Sequence, residues 1–106
     1  MPISQEDAIW HPKVDIYKTR TGWLLKYELA GVGSEDVAIR VSGPRITVSG
    51  MRRDCVVEEG CSHYSMEISY NRFERTIELP CDASQAQLLM EFSNGILLVS
   101  VNPEEG

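Results

Sequence analysis

A chain of 106 residues, 42% hydrophobic and 25% charged, is long enough for one domain whose single core needs neither metal nor disulfides. Its net charge of −6, with Lys13, Lys18, Arg20, Arg52 and Arg53 scattered rather than striped, argues against a nucleic-acid surface. No run approaches the ~20 apolar residues of a membrane span, and Met1-Pro2-Ile3-Ser4-Gln5-Glu6-Asp7 lacks the basic and apolar regions of a secretion signal, so a cytoplasmic protein is the expectation.

In chain order, Trp10-His11-Pro12 leads into a first candidate strand over 14–19. Residues 22–29 alternate, with Trp23, Leu25, Tyr27 and Leu29 on one face and Lys26 and Glu28 on the other. Ser34-Glu35-Asp36 is suited to cap a single helical turn. Val37, Ile39 and Val41 then alternate with Ala38, Arg40 and Ser42, Gly43-Pro44 turns the chain, and Ile46 and Val48 continue the pattern to Gly50. A polar stretch over 51–62 follows. Beyond it Tyr64, Met66, Ile68 and Tyr70 alternate with Ser65, Glu67 and Ser69, and a strand over 73–79 comes next. Residues 81–87 read as a loop with one helical turn around 83–87. Strands over 88–92 and 97–101 close the chain, joined by Asn94-Gly95, a strong hairpin signal. About eight strands without a helix of length predict an all-β, antiparallel β-sandwich.

In the strand over 73–79, Arg75 shares the face of Phe73, Ile77 and Leu79. A guanidinium on that face must be paired and hydrogen-bonded, or stand at an edge where it snorkels to water. The alternative is a subunit interface at which it meets a carboxylate of another chain.

Phe73-Glu74-Arg75-Thr76-Ile77-Glu78-Leu79-Pro80, followed by Met90-Glu91-Phe92-Ser93-Asn94-Gly95-Ile96-Leu97, resembles the α-crystallin domain of small heat-shock proteins over about residues 12–103. That family carries Phe-x-Arg…Leu-Pro and then Ala-x-x-x-Asn-Gly-Val-Leu. Ile96 for Val is a mild departure, whereas Met90 in the alanine position implies a locally wider space between strands. The resemblance implies an immunoglobulin-like sandwich over 12–103, with a short lead over 1–11 and a stub over 104–106.

The length of the 51–72 segment resembles the bacterial and plant members, in which a loop strand is exchanged between two subunits. By that resemblance Tyr64, Met66, Ile68 and Tyr70 lie along the partner's first strand, near Val14 and Ile16, and Arg75 pairs there with an acidic group such as Glu58, Glu59 or Glu67. Physically, a strand on a loop cannot satisfy its own backbone groups, and reciprocal addition to an exposed edge gives a closed dimer. The plainer reading is an ordinary strand of the same sandwich. The resemblance also places Ile39, Val41 and Leu89 at an apolar groove for an Ile-x-Ile tail or client segments, although Val37, Ile39 and Val41 serve equally as core. Residues 102–106, Asn102-Pro103-Glu104-Glu105-Gly106, hold no Ile-x-Ile, so a homodimer is expected, with larger oligomers only where longer arms are present.

Cys55, Cys61 and Cys81 form an odd set without a CxxC pair, and with His63 they make a weak metal site, so reduced thiols and no metal are expected. Gly31-Val32-Gly33 lacks the lysine of a phosphate loop, and neither His11 nor His63 sits in a nucleophile motif, so no cofactor and no enzyme activity are expected. The function implied is an ATP-independent holdase that binds partly unfolded client proteins. The alternative is a CS-type sandwich acting as a co-chaperone or adaptor.

Overall fold

The two-residue alternation of the sequence is realised as seven antiparallel strands: β1 (Val14–Lys18), β2 (Trp23–Glu28), β3 (Val37–Ser42), β4 (Arg45–Arg52), β5 (Asn71–Glu78), β6 (Gln87–Ser93) and β7 (Ile96–Asn102). They belong to a computed structural model that describes residues 9–53, 59–62 and 64–103. One sheet has the order β1-β2-β7-β6 and the other β3-β4-β5. The only helical element among the described residues is a 3-10 turn at Ser34–Asp36. The all-β sandwich expected from the alternation is therefore the fold.

The inner faces meet in one core. Leu25 and Tyr27 of β2, Val99 and Val101 of β7, Ile46 and Val48 of β4, and Phe73 of β5 are essentially sealed from solvent. Each large apolar side chain so buried contributes roughly 1.5–3 kcal/mol relative to exposure. Hairpin chemistry sets the registers. Asn94 and Gly95 both take positive φ, 53° and 79°, as a two-residue turn of the right twist requires, and the Leu29 N–H donates to Gly95 O at 2.7 Å. Gly50 has a different reason to lack a side chain. A Cβ there would lie 2.0 Å from Asp36 O and 2.7 Å from the Phe73 ring.

Among the described residues the strands number seven, in line with the expected number of about eight, and residues 64–70 form no ladder within the protomer despite their alternation. An alternating run makes a strand only when an edge is there to receive its N–H and C=O groups. Nor do residues 83–87 form a helical turn. The Ala83 N–H donates to Gly43 O, and a single tight turn is closed by Ala86 N–H to Ala83 O at 3.1 Å.

Candidate interaction surface

β1 is an edge strand, paired only with β2. Opposite residues of an antiparallel pair point to the same face, so pairing with Tyr27 and Leu25 sends Val14 and Ile16 toward the interior. The facing sheet is one strand narrower, and coverage runs out beneath β1. Leu25 is fully buried while Ile16 across from it is 45% exposed. β1 thus offers an apolar inner face together with a flank that makes no ladder bonds among the described residues.

Arg75 lies beside this edge. It is half-buried in the inward row between Phe73 and Ile77, as the parity of β5 requires. Its Nη1 donates to Pro12 O at 3.0 Å, which joins β5 to the segment entering β1. It forms no ion pair with Glu59 or Glu67 of its own chain; Glu58 lies outside the described residues, as do Cys55 and His63. The lead is stitched to β5 by Trp10 N–H to Arg72 O and Glu74 N–H to Trp10 O, with His11 Nδ1 2.7 Å from Glu74 O. The Trp10 ring packs on Phe73 at 5.2 Å between centroids.

Across the core from Arg75, the Tyr27 phenol is fully buried, and its Oη finds no hydrogen-bond partner among the described residues. Burial pushes its ionisation up to about 12, against the pull of the Arg75 charge.

The 53–70 loop is rooted by Arg52. Its guanidinium lies over the rings of Trp10 at 4.2 Å and Tyr70 at 5.8 Å, and it donates to Ala30 O at 3.0 Å and to Ser69 O at 2.8 Å. Above this root, Ile9, Trp10, Met66, Ile68 and Tyr70 line a cleft of about 150 Å³. Tyr64 and Ile68 are exposed, Ile68 by 62%.

At the ends of the two sheets away from β1 and β5, β6 and β3 are edge strands. Ile39 and Val41 are half-buried and pack against the core. Leu89 pairs with Ser100, points to the outer face and is 54% exposed, so the structure does not place it on the face of Ile39 and Val41. Met90, which by parity should be buried with Leu88 and Phe92, is instead 62% exposed, because its strand is an edge with no neighbour to cover it.

The sandwich, the inward arginine of β5 and the Asn94-Gly95 hairpin converge with the comparisons to known proteins. The family model described as Hsp20/alpha crystallin family matches residues 15–106. The chain belongs to that family. It is 29% identical over 94 residues to small heat shock protein C2 of Rickettsia felis, covering 89% of this chain and 61% of that protein. It is 30% identical over 105 residues to the 17.6 kDa class I heat shock protein of Helianthus annuus, covering 98% and 69%. Heat shock protein 16.0 of Schizosaccharomyces pombe superposes with a TM-score of 0.76 at 28% identity, with 90% of this chain and 88% of that one covered. The Hsp20 chain spans 61%, 64% and 53% of the length of the first three curated relatives it matches.

The sequence of this Hsp20-family chain singles out Arg75 and Met90 but gives no sign of the contacts of Arg52 or of the unpartnered hydroxyl of Tyr27. Arg52 is one of two adjacent arginines before a polar stretch, and nothing local marks its aromatic neighbours at Trp10 and Tyr70. Cys61 is exposed and Cys81 half-buried. Among the described residues no group of three or more His, Cys, Asp and Glu side chains gathers as a metal site would require, and no helix is long and apolar enough to cross a membrane.

Proposed function

We propose that this Hsp20-family chain is an ATP-independent holdase, located in the cytoplasm, that binds partly unfolded proteins and slows their aggregation without catalysing a reaction. The observation that carries the reading is the family match across residues 15–106. Apolar side chains left uncovered at both sides of the sandwich support it: Ile16 and Ile68 near the β1 edge, and Leu89 and Met90 on β6. Such surface holds an extended client through backbone pairing and apolar contact.

The working unit is a homodimer in which residues 64–70 of each protomer add to β1 of the other. Tyr64, Met66, Ile68 and Tyr70 then cover Val14 and Ile16, and Arg75 meets a carboxylate of the second copy. Two observations support this geometry: an apolar edge without a neighbour, and an alternating run without a partner strand. The β3–β6 side serves as the groove for a tail or client segment, with Ile39 and Val41 at its floor and Leu89 on the outer rim of β6, and larger oligomers need longer arms.

The test is light scattering from a heat- or reductant-destabilised client, without ATP, across molar ratios. Suppression near equimolar amounts is expected. A dimeric protein that leaves scattering unchanged would contradict holdase activity in this chain and favour the adaptor reading.

A further inference from the structure

The inward row of β1 ends on a cation. Lys18 pairs with Trp23 in the β1–β2 ladder, so it takes the parity of Val14 and Ile16. Its Nζ stands over the Trp23 ring, 4.9 Å from the centroid, while Trp23 itself packs against the core. At this end of the sandwich lies a cleft of about 560 Å³. Lys18, Arg20 and Trp23 of the β1–β2 hairpin line it, with Pro80 and Cys81 from beyond β5 and Pro103 from beyond β7.

The hairpin turn sets Arg20 in place. Thr19 N–H donates to Gly22 O at 2.8 Å, Gly22 N–H donates to Thr19 Oγ1 at 2.9 Å, and Thr21 Oγ1 donates to Asn102 Oδ1 at 2.9 Å. Gly22 presses on the end of β7, where a Cβ would lie 2.0 Å from Val101 O and 2.9 Å from Pro103 Cδ. The turn is thereby fixed to β7, which lowers the ordering cost of any ligand it holds. In a chain of net charge −6, neither Lys18 nor Arg20 forms an ion pair among the described residues. The Asp82 carboxylate, next to Cys81, accepts instead from the N–H of Ser84 at 2.9 Å and from its hydroxyl at 2.7 Å. Two uncompensated cations at a concave surface concentrate a positive field there.

We propose that this cleft binds a small organic anion: a phosphate or carboxylate group held by Lys18 and Arg20, on an apolar ring or chain that lies against Trp23, Pro80 and Pro103. A guanidinium fork takes two oxygens of such a group, and the ammonium adds a point charge. The volume is that of a small-molecule site, and apolar walls with a few polar fixing points are the usual make-up of one. Its concave shape suits a soluble molecule better than a flat anionic surface. Every lining residue comes from one protomer, so the site stands whether or not the exchange dimer forms.

The experiment titrates the 15N-labelled full chain with phenyl phosphate, benzoate, inorganic phosphate and benzyl alcohol. It follows amide and indole shifts, and the rate at which a neutral maleimide alkylates Cys81. Phenyl phosphate and benzoate decide between the two anionic groups. The preferred one shifts residues 18–23 and the Trp23 indole N–H, and it slows alkylation of Cys81 but not of exposed Cys61. Inorganic phosphate and benzyl alcohol, each carrying half of the ligand, bind at least tenfold more weakly. Lys18→Gln with Arg20→Ala, at two exposed positions where folding is not at risk, weakens binding by roughly tenfold or more, the usual size for lost bonds to a charged group. Arg20→Lys alone loses less, and added salt weakens binding to the natural chain. Unchanged affinity in the double variant overturns the proposal, and so does benzyl alcohol or inorganic phosphate binding as tightly as the aromatic anion. Shifts spread equally over Lys13, Arg40 and Arg72, or no saturable shift with either aromatic anion, overturn it as well.

Discussion

The Arg52 guanidinium lies 4.2 Å from the centroid of the Trp10 ring, which ties the end of β4 to the segment ahead of β1. Tyr70 closes the other side, and the carbonyls of Ala30 and Ser69 accept its N–H groups. One side chain thus anchors both the lead and the base of the loop proposed to swing onto a second copy. Arg52→Ala should lower stability by about 1–3 kcal/mol, from one or two cation–π contacts and the lost carbonyl bonds. Arg52→Lys should fall between, since an ammonium stacks and forks less well. Thermal unfolding measures the cost, and faster proteolysis within residues 59–70 reports the loosened base.

Arg75→Gly removes the donor to Pro12 O and leaves a gap in the inward row of β5. The expected loss is about 1–3 kcal/mol in the protomer, with a further loss of dimer mass as the partner acid is left unpaired. An unchanged melting temperature together with an unchanged sedimentation coefficient would contradict the role assigned to this arginine.

Deleting residues 61–69 removes the unpaired run without touching any of the seven strands. A folded monomer with native β-sheet circular dichroism is expected. Persistence of the dimer after this deletion would show that association runs through another edge.

Alternation made most of the sandwich legible. Leu25 and Tyr27, Ile46 and Val48, and Phe73 and Ile77 bury as their parity dictates, and Asn94-Gly95 turns where its backbone freedom allows. Periodicity is a local signal, however, and it carries no information about neighbours. Residues 64–70 alternate as well as any strand yet have no edge to pair with in their own protomer. Met90 and Ile16 have inward parity yet remain exposed, because sheet order leaves their strands at edges. The contacts of Arg52 and the lone hydroxyl of Tyr27 depend on residues far away in sequence, where no spacing rule reaches.

Tyr27 also makes stability depend on pH at the alkaline end. Its phenol ionises near 10 when unfolded and at about 12 when folded. Between these values the unfolded chain gives up a proton that the folded one keeps, so stability is intact below pH 10 and falls as pH rises through that window. The contribution is roughly 2–3 kcal/mol. Urea unfolding at pH 9 and pH 11 should show about half of this loss in the natural chain, pH 11 lying midway through the window, and a smaller one in Tyr27→Phe. Equal losses in the two proteins would place the alkaline sensitivity elsewhere.

The central claim is that residues 64–70 of one protomer complete β1 of another. Mixing 15N-labelled with 13C-labelled chains and recording NOEs filtered for contacts between the two labels tests it without any assumption about register. Cross-peaks between residues 64–70 of one label and Val14–Lys18 of the other are the predicted result. A dimer whose inter-label cross-peaks fall elsewhere, with residues 64–70 contacting only their own chain, would contradict it.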